Sequence, residues 1–393
     1  MDASILNYVF PNDVHAHWTL MIVIYPYITG VVAGAFIVSA LAHVFHVKAL
    51  EPIAKFALIF ALSWLIFVTA PLLNHLGHPE RAIWMLFTPN FSGPSMMAGF
   101  GYIYMAYTIL LIFEILYIYR ADFIELKKTT TGFKRVLYGV FTLGTDDESK
   151  KGLEIDHKIS LFLGAVGIPL ASLLHGYVGF IFGGVKAVEW WFTPLMPIIF
   201  LLSASVSGIA GIILFYIIIK KVTGKISEIK TETIITLVKL LWAFFIFDFV
   251  FELLELGVHA YGATSGWHHV SSALHGPMYF SFWIMQIFVL SIVPFFILGY
   301  LSLAKVNRKM LFVLSSFVSA MILVQVLFMR WNVVIGGQIM AKSERGFASF
   351  HPQLFEKEGI AVTIIMLVAP VVTLWLLSKV FPLWDRVKSS SKK

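Results

Sequence analysis

Residues 237–261 read LVKLLWAFFIFDFVFELLELGVHAY, a long apolar segment interrupted by a few ionisable side chains. As a helix with a rise of about 1.5 Å per residue, it is long enough to cross the roughly 30 Å hydrocarbon core of a bilayer. Charged groups at that depth are costly and usually face a bundle interior or a water-filled cavity. The stretch therefore predicts a transmembrane helix with a face for proton or ion movement. Four ionisable residues, at spacings of four, three and four, share that face: Asp248, Glu252, Glu255 and His259.

Eight further apolar stretches repeat this pattern along the 393-residue chain. The chain is 59% hydrophobic and only 13% charged, with a mean hydropathy of +0.85. A soluble domain of this length would carry roughly twice that charged fraction. We therefore predict an all-α membrane protein with about nine transmembrane helices, the range being eight to ten. The predicted spans are about residues 19–46, 54–74, 96–119, 159–185, 197–219, 237–261, 279–302, 311–335 and 359–381.

The basic residues predict an orientation with the N-terminus outside and the C-terminus inside. In that orientation 23 of the 29 Lys and Arg lie on the cytoplasmic side, five lie outside, and Arg330 lies within a span. Because they are spread over separate loops, the net charge of +7 reflects loop bias rather than a nucleic-acid site. No basic segment precedes the first span, so we expect no cleavable signal peptide.

The longest cytoplasmic connection, residues 120–158, contains FKRVLYGVF at positions 133–141. This segment fits a short amphipathic helix on the membrane surface, and an ordinary basic loop fits equally well. The chain has no cysteine, which excludes disulfides, iron–sulfur ligation and thiol chemistry by its own residues. Any iron–sulfur chemistry is therefore expected on a partner.

The loop after the second span carries a motif, NHLGHPERAIW at 74–84 followed by FTPNFSGPS at 87–95. It resembles the LGxPER…W…TPNFxSP signature of the NrfD/PsrC family of quinone-reactive membrane subunits. Among the branches of that family, DsrP and HmcC look most similar in length and in the RWNVVIGGQ stretch. These are subunits of membrane redox complexes in sulfate and sulfite reducers. The resemblance covers nearly the whole chain, including GVVAGA at 30–35, residues 167–208, HGPMY at 275–279 and RWNVVIGGQ at 330–338.

The resemblance implies an architecture and a role. We expect a single integral membrane domain with two four-helix bundles, residues 19–185 and 197–335, and a peripheral helix at 359–381. The family's subunits carry no haem, metal or iron–sulfur cluster, and their quinone site lies in the first bundle, near the outer face. A ferredoxin-like iron–sulfur subunit would bind that face, beside other membrane and cytochrome c subunits.

These expectations lead to one prediction of function. The chain would be the menaquinol:acceptor oxidoreductase subunit of a respiratory complex in a prokaryotic plasma membrane, without complete activity alone. It would exchange electrons between menaquinol and the iron–sulfur partner, with proton transfer or translocation, in sulfite or sulfate reduction. No nucleic-acid partner is expected.

Quinone chemistry couples two electrons to two protons, so a site needs hydrogen-bonding groups and one group that exchanges protons near neutral pH. His175 is a candidate carbonyl contact, with a buried structural histidine as the alternative. Tyr25 aligns roughly with a family position that faces the quinone, or is an interfacial tyrosine. For Arg81 a structural clamp of the loop is favoured. The quinone candidates are Tyr25, His75, Arg81, His175 and Tyr177.

The stripe on the sixth span is the main candidate for a proton relay. Arg330 and Gln286 are its expected partners, because unpaired charges within a membrane are rare. The alternative is that pairing with Arg330 only locks the bundle, but three acids against one arginine exceed what a clamp needs. Some are therefore expected to be protonated. Glu114, with His43, either extends a proton path or reaches to the interface. The relay candidates are Asp248, Glu252, Glu255, His259, Glu114 and Arg330.

Three other classes of protein compete with this prediction. A proton-coupled secondary transporter also suits two bundles and buried acids, but it leaves the PER loop unexplained. A haem-binding cytochrome b-type subunit needs paired histidines, whereas His43, His175 and His259 lie at different depths. A structural anchor for electron-carrying partners would bind no quinone.

Overall fold

The computed structural model describes residues 15–87, 96–262, 266–340 and 346–384, and nearly all of them are helical. Within these ranges, nine helical stretches are long and apolar enough to cross a membrane, which confirms the all-α transmembrane prediction. The helices are α1 Leu20–His43, α2 Glu51–Leu65, α3 Ala70–His75, α4 Trp84–Phe87, α5 Met96–Thr129, α6 Phe133–Phe141, α7 Lys150–Gly183, α8 Met196–Val222, α9 Thr231–Gly262, α10 Trp267–His275, α11 Val293–Leu303 with the π-helical segment Phe280–Ile292 before it, α12 Arg308–Ile339 and α13 Ile360–Leu377.

The second span is present but is not the continuous helix predicted for 54–74. Helix α2 ends at Leu65, and α3 begins at Ala70. Pro71 has no N–H to donate to the preceding turn, so an unbroken helix cannot pass through it with all its hydrogen bonds. The hydroxyl of Tyr104 donates to the Leu65 carbonyl at 3.1 Å, which satisfies one acceptor at the break. The break sets α3 against α1.

Two helices are longer than the sequence predicted, because their charged ends pair with each other. Helix α5 continues from the predicted end near 119 to Thr129, and α7 begins at Lys150 rather than near 159. Arg120 Nε donates to Asp156 Oδ2 at 2.6 Å across the two helices. Two further pairs, Lys127–Asp146 and Lys128–Glu148, connect α5 to the loop before α7.

The segment between these helices settles one alternative left open by the sequence. Residues Phe133–Phe141 form a helix, so the loop interpretation is wrong, while the position of this helix on the membrane surface stays a prediction. Tyr138 donates to the Val380 carbonyl at 3.1 Å, and Phe141 stacks on Phe381 at 5.7 Å between ring centroids. Helix α6 therefore packs against the segment that follows α13.

Helices α1 and α8 cross in backbone contact at the centre of the molecule. A Cβ added to Gly34 would lie 2.1 Å from the Ala204 carbonyl oxygen, and one added to Gly208 would lie 2.3 Å from the Ala35 nitrogen. Small residues permit such close approach, which drives helix association where lipid supplies no hydrophobic contrast. Helix α8 also packs against α7, α9 and α12, so it joins the two halves of the chain.

The helix ends define two faces of the molecule. The upper face carries residues 66–87, 184–195, 266–279 and 346–359, and the lower face carries residues 44–50, 130–149, 223–230 and 304–307. The sequence predicts that the upper face lies outside the cytoplasm. Helix α13 follows α12 in the chain but packs against α1 and α2. Residues 346–359 thereby return to the first half of the molecule.

The seventh span begins as a π helix, which no local sequence pattern indicated. It runs over Phe280–Ile292 and changes to α geometry at Val293. Pro294, in the first turn of α11, cannot donate a backbone hydrogen bond to the preceding turn. The Ser291 hydroxyl donates to the Gln286 carbonyl, five positions back, at 2.7 Å. π-Helical turns are frequent at functional sites, and this one carries Gln286.

Candidate functional site

A cavity of about 460 Å³ lies at the upper face, between α1, α3, α5 and the end of α7. It falls within the roughly 300–1,000 Å³ range of small-molecule sites, and its walls are mostly apolar and aromatic. The break in the second span and the turn that follows it form one side. We call it the upper cavity. The lining residues that matter here are Trp18, Tyr25, His75, Arg81, Phe100 and Phe182.

Three of the five quinone candidates line this cavity. Tyr25 is almost completely buried, its ring meets Phe100 edge to face at 6.0 Å, and no described residue hydrogen-bonds its hydroxyl. His75 is the last residue of α3. Arg81 is exposed and ends the short 3-10 turn Pro79–Arg81. The structure thus brings Tyr25, His75 and Arg81 together from separate elements.

His75 has a partner that the sequence analysis missed. Its Nδ1 lies 2.7 Å from Glu358 Oε2, and the same carboxylate oxygen accepts the Thr19 hydroxyl at 2.5 Å. Thr19 also caps the N-terminus of α1. Glu358 lies 283 positions from His75 and belongs to no motif, so no local signal identified it.

The other two quinone candidates do not line the upper cavity. His175 is fully buried, and its Nε2 accepts from Arg330 Nη2 at 3.0 Å. Tyr177 lies against Gly99, where an added Cβ would be 2.2 Å from the tyrosine hydroxyl. Burial and the hydrogen bond to Arg330 of α12 are the contacts expected of the structural alternative for His175, and its contact with a quinone stays a prediction.

Arg330 is held by polar and aromatic contacts rather than by the carboxylates the sequence proposed. Its Nη2 also donates to Ser203 Oγ at 2.5 Å, and the guanidinium lies 3.8 Å from the ring centroid of Phe200. No ion pair within 4.0 Å joins Arg330 to an acid in the described part of the chain. Among the described residues Arg330 therefore forms no direct ion pair with the acidic stripe, because α8 supplies the contacts that hold the guanidinium. Arg330 still interacts electrostatically with Asp248 and Glu252 at longer range.

Aromatic rings connect the upper cavity to Arg330. Phe182, in the cavity wall, lies 5.6 Å from Phe200, and His175 stacks on the same Phe200 at 5.7 Å. Trp18 stacks on Trp191 at 5.0 Å, and Trp191 donates to the Val333 carbonyl at 2.6 Å. The cavity wall and the Arg330 contacts thus form one packed unit.

A second, much smaller space collects most of the acidic stripe. It measures about 40 Å³, enough for a few water molecules. Glu252, Glu255 and His259 reach it from one face of α9, as their spacing predicted. We call it the acidic crevice. The lining residues that matter here are Trp190, Glu252, Glu255, His259, Gln286 and Asn332.

The acidic crevice contains a continuous chain of hydrogen bonds. Asn332 Nδ2 donates to Gln286 Oε1 at 2.8 Å, and Gln286 Nε2 donates to Glu252 Oε2 at 3.1 Å. The Ser281 hydroxyl donates to Asn332 Oδ1 at 2.7 Å. The predicted partnership of Gln286 with the stripe is confirmed. Asp248 is fully buried, and neither carboxylate oxygen has a hydrogen-bond partner among the described residues.

Two relay candidates have contacts outside the acidic crevice. Glu114 is fully buried on α5, and a Cβ added to Gly164 of α7 would be 3.2 Å from its carboxylate. His259 Nδ1 lies 4.0 Å from Glu189 Oε1 at the upper end of α9. Pro89, Gly93 and Pro94 of the FTPNFSGPS stretch, which the sequence predicts to fix the shape of the loop, fall outside the described residues. Within the described residues, no group of three or more His, Cys, Asp or Glu side chains is placed to hold a metal ion.

Comparisons with known proteins agree over most of the chain. The model of the family described as "Polysulphide reductase, NrfD" matches residues 10–342. The C subunit of a selenate reductase from Mesobacillus selenatarsenatis is 32% identical over 333 residues, which cover 82% of this chain and 74% of that protein. A putative dimethyl sulfoxide reductase membrane subunit of Halobacterium salinarum is 27% identical over 269 residues, which cover 68% of this chain and 58% of that protein.

Proposed function

Because the chain belongs to the polysulphide reductase NrfD family, we propose that it is the quinone-interacting membrane subunit of a respiratory oxidoreductase complex. The observation that carries the proposal is the upper cavity, in which Tyr25, His75 and Arg81 border a largely aromatic and apolar space. A bound quinol supplies two electrons and two protons. The protein's part is to hold the ring, accept or return protons, and keep the site within reach of an electron acceptor.

The cavity fits a quinone head group on chemical grounds. Trp18, Phe100 and Phe182 provide flat apolar surfaces for the ring. The hydroxyl of Tyr25 is free to contact a carbonyl or hydroxyl oxygen, and the imidazole of His75 can donate or accept a hydrogen bond. Arg81, at the rim, would favour an electron-rich oxygen. These proposed roles assign the quinone chemistry expected of the family to particular residues of this chain.

The finer assignments follow from the sequence resemblance. The quinone would be menaquinol, and an iron–sulfur subunit would bind the upper face, outside the cytoplasm. The DsrP-like RWNVVIGGQ stretch supports sulfite or sulfate reduction as the setting. A complex that reduces another oxyanion is the second candidate, favoured by the relative from a selenate reductase.

We further propose that the acidic crevice moves protons. The carboxylates of Glu252 and Glu255 beside space for a few water molecules supply groups that can bind and release protons, and the amides of Gln286 and Asn332 hold Glu252 in place. Asp248 would extend the path along α9. His175, by contrast, does not suit a haem ligand, because its Nε2 faces the cationic guanidinium of Arg330.

Binding of a quinol analogue tests the main proposal. The purified complex is titrated with heptyl-hydroxyquinoline N-oxide, whose fluorescence is quenched on binding, and Tyr25→Phe is compared with Tyr27→Phe. Both tyrosines are buried on α1, but Tyr27 packs against Trp64 and does not line the cavity. We expect Tyr25→Phe to weaken binding about tenfold, the loss of one hydrogen bond, and Tyr27→Phe to have little effect. Absence of binding to the wild-type complex would refute the proposal.

A further inference from the structure

The carboxylate of Glu358 is a meeting point of three separate elements at the edge of the upper cavity. It accepts the Thr19 hydroxyl before α1 at 2.5 Å and lies 2.7 Å from His75 Nδ1 at the end of α3. Glu358 itself belongs to the segment that immediately precedes α13. Contacts to two different donors on one oxygen fix this side chain in position.

The segment that carries Glu358 is anchored beside His75 by hydrogen bonds of its own. Asn74 Nδ2 donates to the Lys357 carbonyl at 2.7 Å, and Lys357 Nζ donates to the Leu76 carbonyl at 3.3 Å. Gly359 follows directly, and a Cβ there would lie 2.4 Å from the Gln353 carbonyl oxygen. The backbone on both sides of Glu358 is therefore closely packed.

The geometry gives the two nitrogens of His75 different roles. Nδ1–H donates to Glu358, so in the neutral ring Nε2 carries the lone pair. No described residue hydrogen-bonds Nε2, and His75 lines the upper cavity. A carboxylate behind one ring nitrogen fixes the tautomer and stabilises the protonated ring, while the other nitrogen accepts a proton.

Glu358 lies beyond the residues that match the family model, which end at 342. Its side chain is 22% exposed, whereas that of His75 is 26% exposed, so the pair lies between the cavity and the surface. The other charged groups nearby are Arg81, which lines the same cavity, Lys357, and the hydrogen-bonded His78 and Glu80. None of these contacts His75 Nδ1.

We propose that His75 and Glu358 form the proton-accepting pair of the upper cavity, an inference that rests on the proposed quinone site. His75 is the catalytic residue, because it faces the cavity, and Glu358 is a positioning residue that acts through it. Quinol oxidation breaks two O–H bonds, one after the other, and each proton binds His75 Nε2 while the Nδ1 proton moves to Glu358 and then to solvent. Between the two transfers the ring exchanges protons with solvent, since its side chain is 26% exposed, and Nε2 regains its lone pair. The two electrons leave one at a time to the one-electron iron–sulfur centre of the partner subunit. Quinone reduction reverses each transfer.

The His75–Glu358 pair gives α13, the last helix among the described residues, a role at the upper cavity. Helix α13 packs against α1 and α2, and its preceding segment brings Glu358 to a site built otherwise from the first half of the chain. A helix that only added lipid-facing surface would not require a carboxylate at its start.

The test uses the intact complex with Glu358→Gln, Glu358→Asp and Glu358→Ala. Glutamine keeps the size and can still accept from Thr19, so assembly is preserved while the carboxylate is lost. We expect kcat for menaquinol oxidation to fall at least about tenfold in Glu358→Gln with KM unchanged, and to recover partly in Glu358→Asp. The dissociation constant for heptyl-hydroxyquinoline N-oxide should stay within about twofold of wild type. Glu356→Gln, an exposed change on the same segment, should match wild type in both measurements.

Chemical rescue separates a proton-transfer role from a purely structural one. Added formate, a small carboxylate, should restore turnover of Glu358→Ala in a concentration-dependent manner, because it can replace the missing proton acceptor. Failure of formate to rescue, or wild-type kcat in Glu358→Gln, would overturn the pair while analogue binding still supports the quinone site. If the wild-type complex does not bind the analogue, the quinone site itself is wrong.

Discussion

The upper cavity and the acidic crevice both contain ionisable groups within a membrane bundle, but they differ about tenfold in volume, 460 against 40 Å³. The cavity has aromatic walls with a few polar groups at its edge, whereas the crevice has the carboxylates of Glu252 and Glu255, of which Glu252 accepts a hydrogen bond from the Gln286 amide. The first can hold an organic molecule, and the second can hold only water and protons. Space, rather than the number of charges, therefore distinguishes the proposed quinone site from the proposed proton path.

Trp190 and Trp191 lie between these two regions. Trp190 lines the acidic crevice and donates to the Asn332 carbonyl at 2.9 Å, while Trp191 stacks on Trp18 in the wall of the upper cavity. A Cβ added to Gly337 would be 2.1 Å from Trp191 Nε1, so α12 approaches this indole closely. These two neighbouring residues therefore face different regions, Trp190 the acidic crevice and Trp191 the wall of the upper cavity. Both regions pack against the residues around Arg330.

Filling the cavity should produce the largest difference between the two regions. In the double variant Leu72→Trp/Ala82→Trp, two indoles occupy space lined by the native side chains. We expect heptyl-hydroxyquinoline N-oxide to bind at least about a hundredfold more weakly, because a packed site cannot accept the extra volume. The change is measured by fluorescence quenching on the purified complex.

The matched control for this variant is Leu253→Trp, which adds an indole beside the acidic crevice. It should leave analogue binding unchanged, since Leu253 is 41% exposed on the outer side of α9. If both changes weaken binding equally, the analogue does not bind in the upper cavity, and the comparison fails.

The distinction between local and long-range information explains which features the sequence could predict. The nine spans and the alignment of Glu252, Glu255 and His259 depend on hydropathy and on a period of 3.6 residues, so both were predictable. The pairing of Arg330 with His175 joins residues 155 positions apart, and Glu358 reaches His75 across 283. Such contacts depend on how helices pack, which a single sequence does not encode in any local pattern.

The π-helical segment marks a second limit of sequence reasoning. Hydropathy located the seventh span correctly at 279–302, but α periodicity would direct its side chains differently from the observed five-residue register. Gln286 was still predicted as a partner of the stripe, on the principle that intramembrane acids need one. The choice of Gln286 as a partner could therefore be predicted from its chemistry, whereas the π-helical geometry that positions it could not.

An intermediate effect is expected when the crevice loses its charge. Asp248→Asn and Glu252→Gln each keep the size of the side chain but remove the carboxylate. We expect proton movement coupled to menaquinol oxidation to fall at least about tenfold in proteoliposomes of the complex, because a relay needs a group that binds and releases protons. Proton movement is followed with a pH-sensitive dye. Unchanged proton movement in both variants would exclude the relay.

A second measurement on the same variants tests whether the upper cavity and the acidic crevice are separate sites. Analogue binding to the upper cavity should remain within about twofold of wild type in Asp248→Asn and Glu252→Gln, because neither residue lines that cavity. A large loss of binding would show that the two regions are a single site.

The smallest effect is expected at Arg330, which lines neither space but borders both. In Arg330→Lys the charge remains, but a lysine ammonium cannot reproduce the planar guanidinium that contacts His175, Ser203 and the ring of Phe200 together. We expect analogue affinity and proton movement each to fall about threefold, because the packing behind both regions loosens while each lining is retained. Leaving His175 without its donor costs about 1–3 kcal/mol of stability, measurable as a lower unfolding temperature. A change in only one of the two functions would show that Arg330 supports one region alone, and that the cavity and the crevice operate independently.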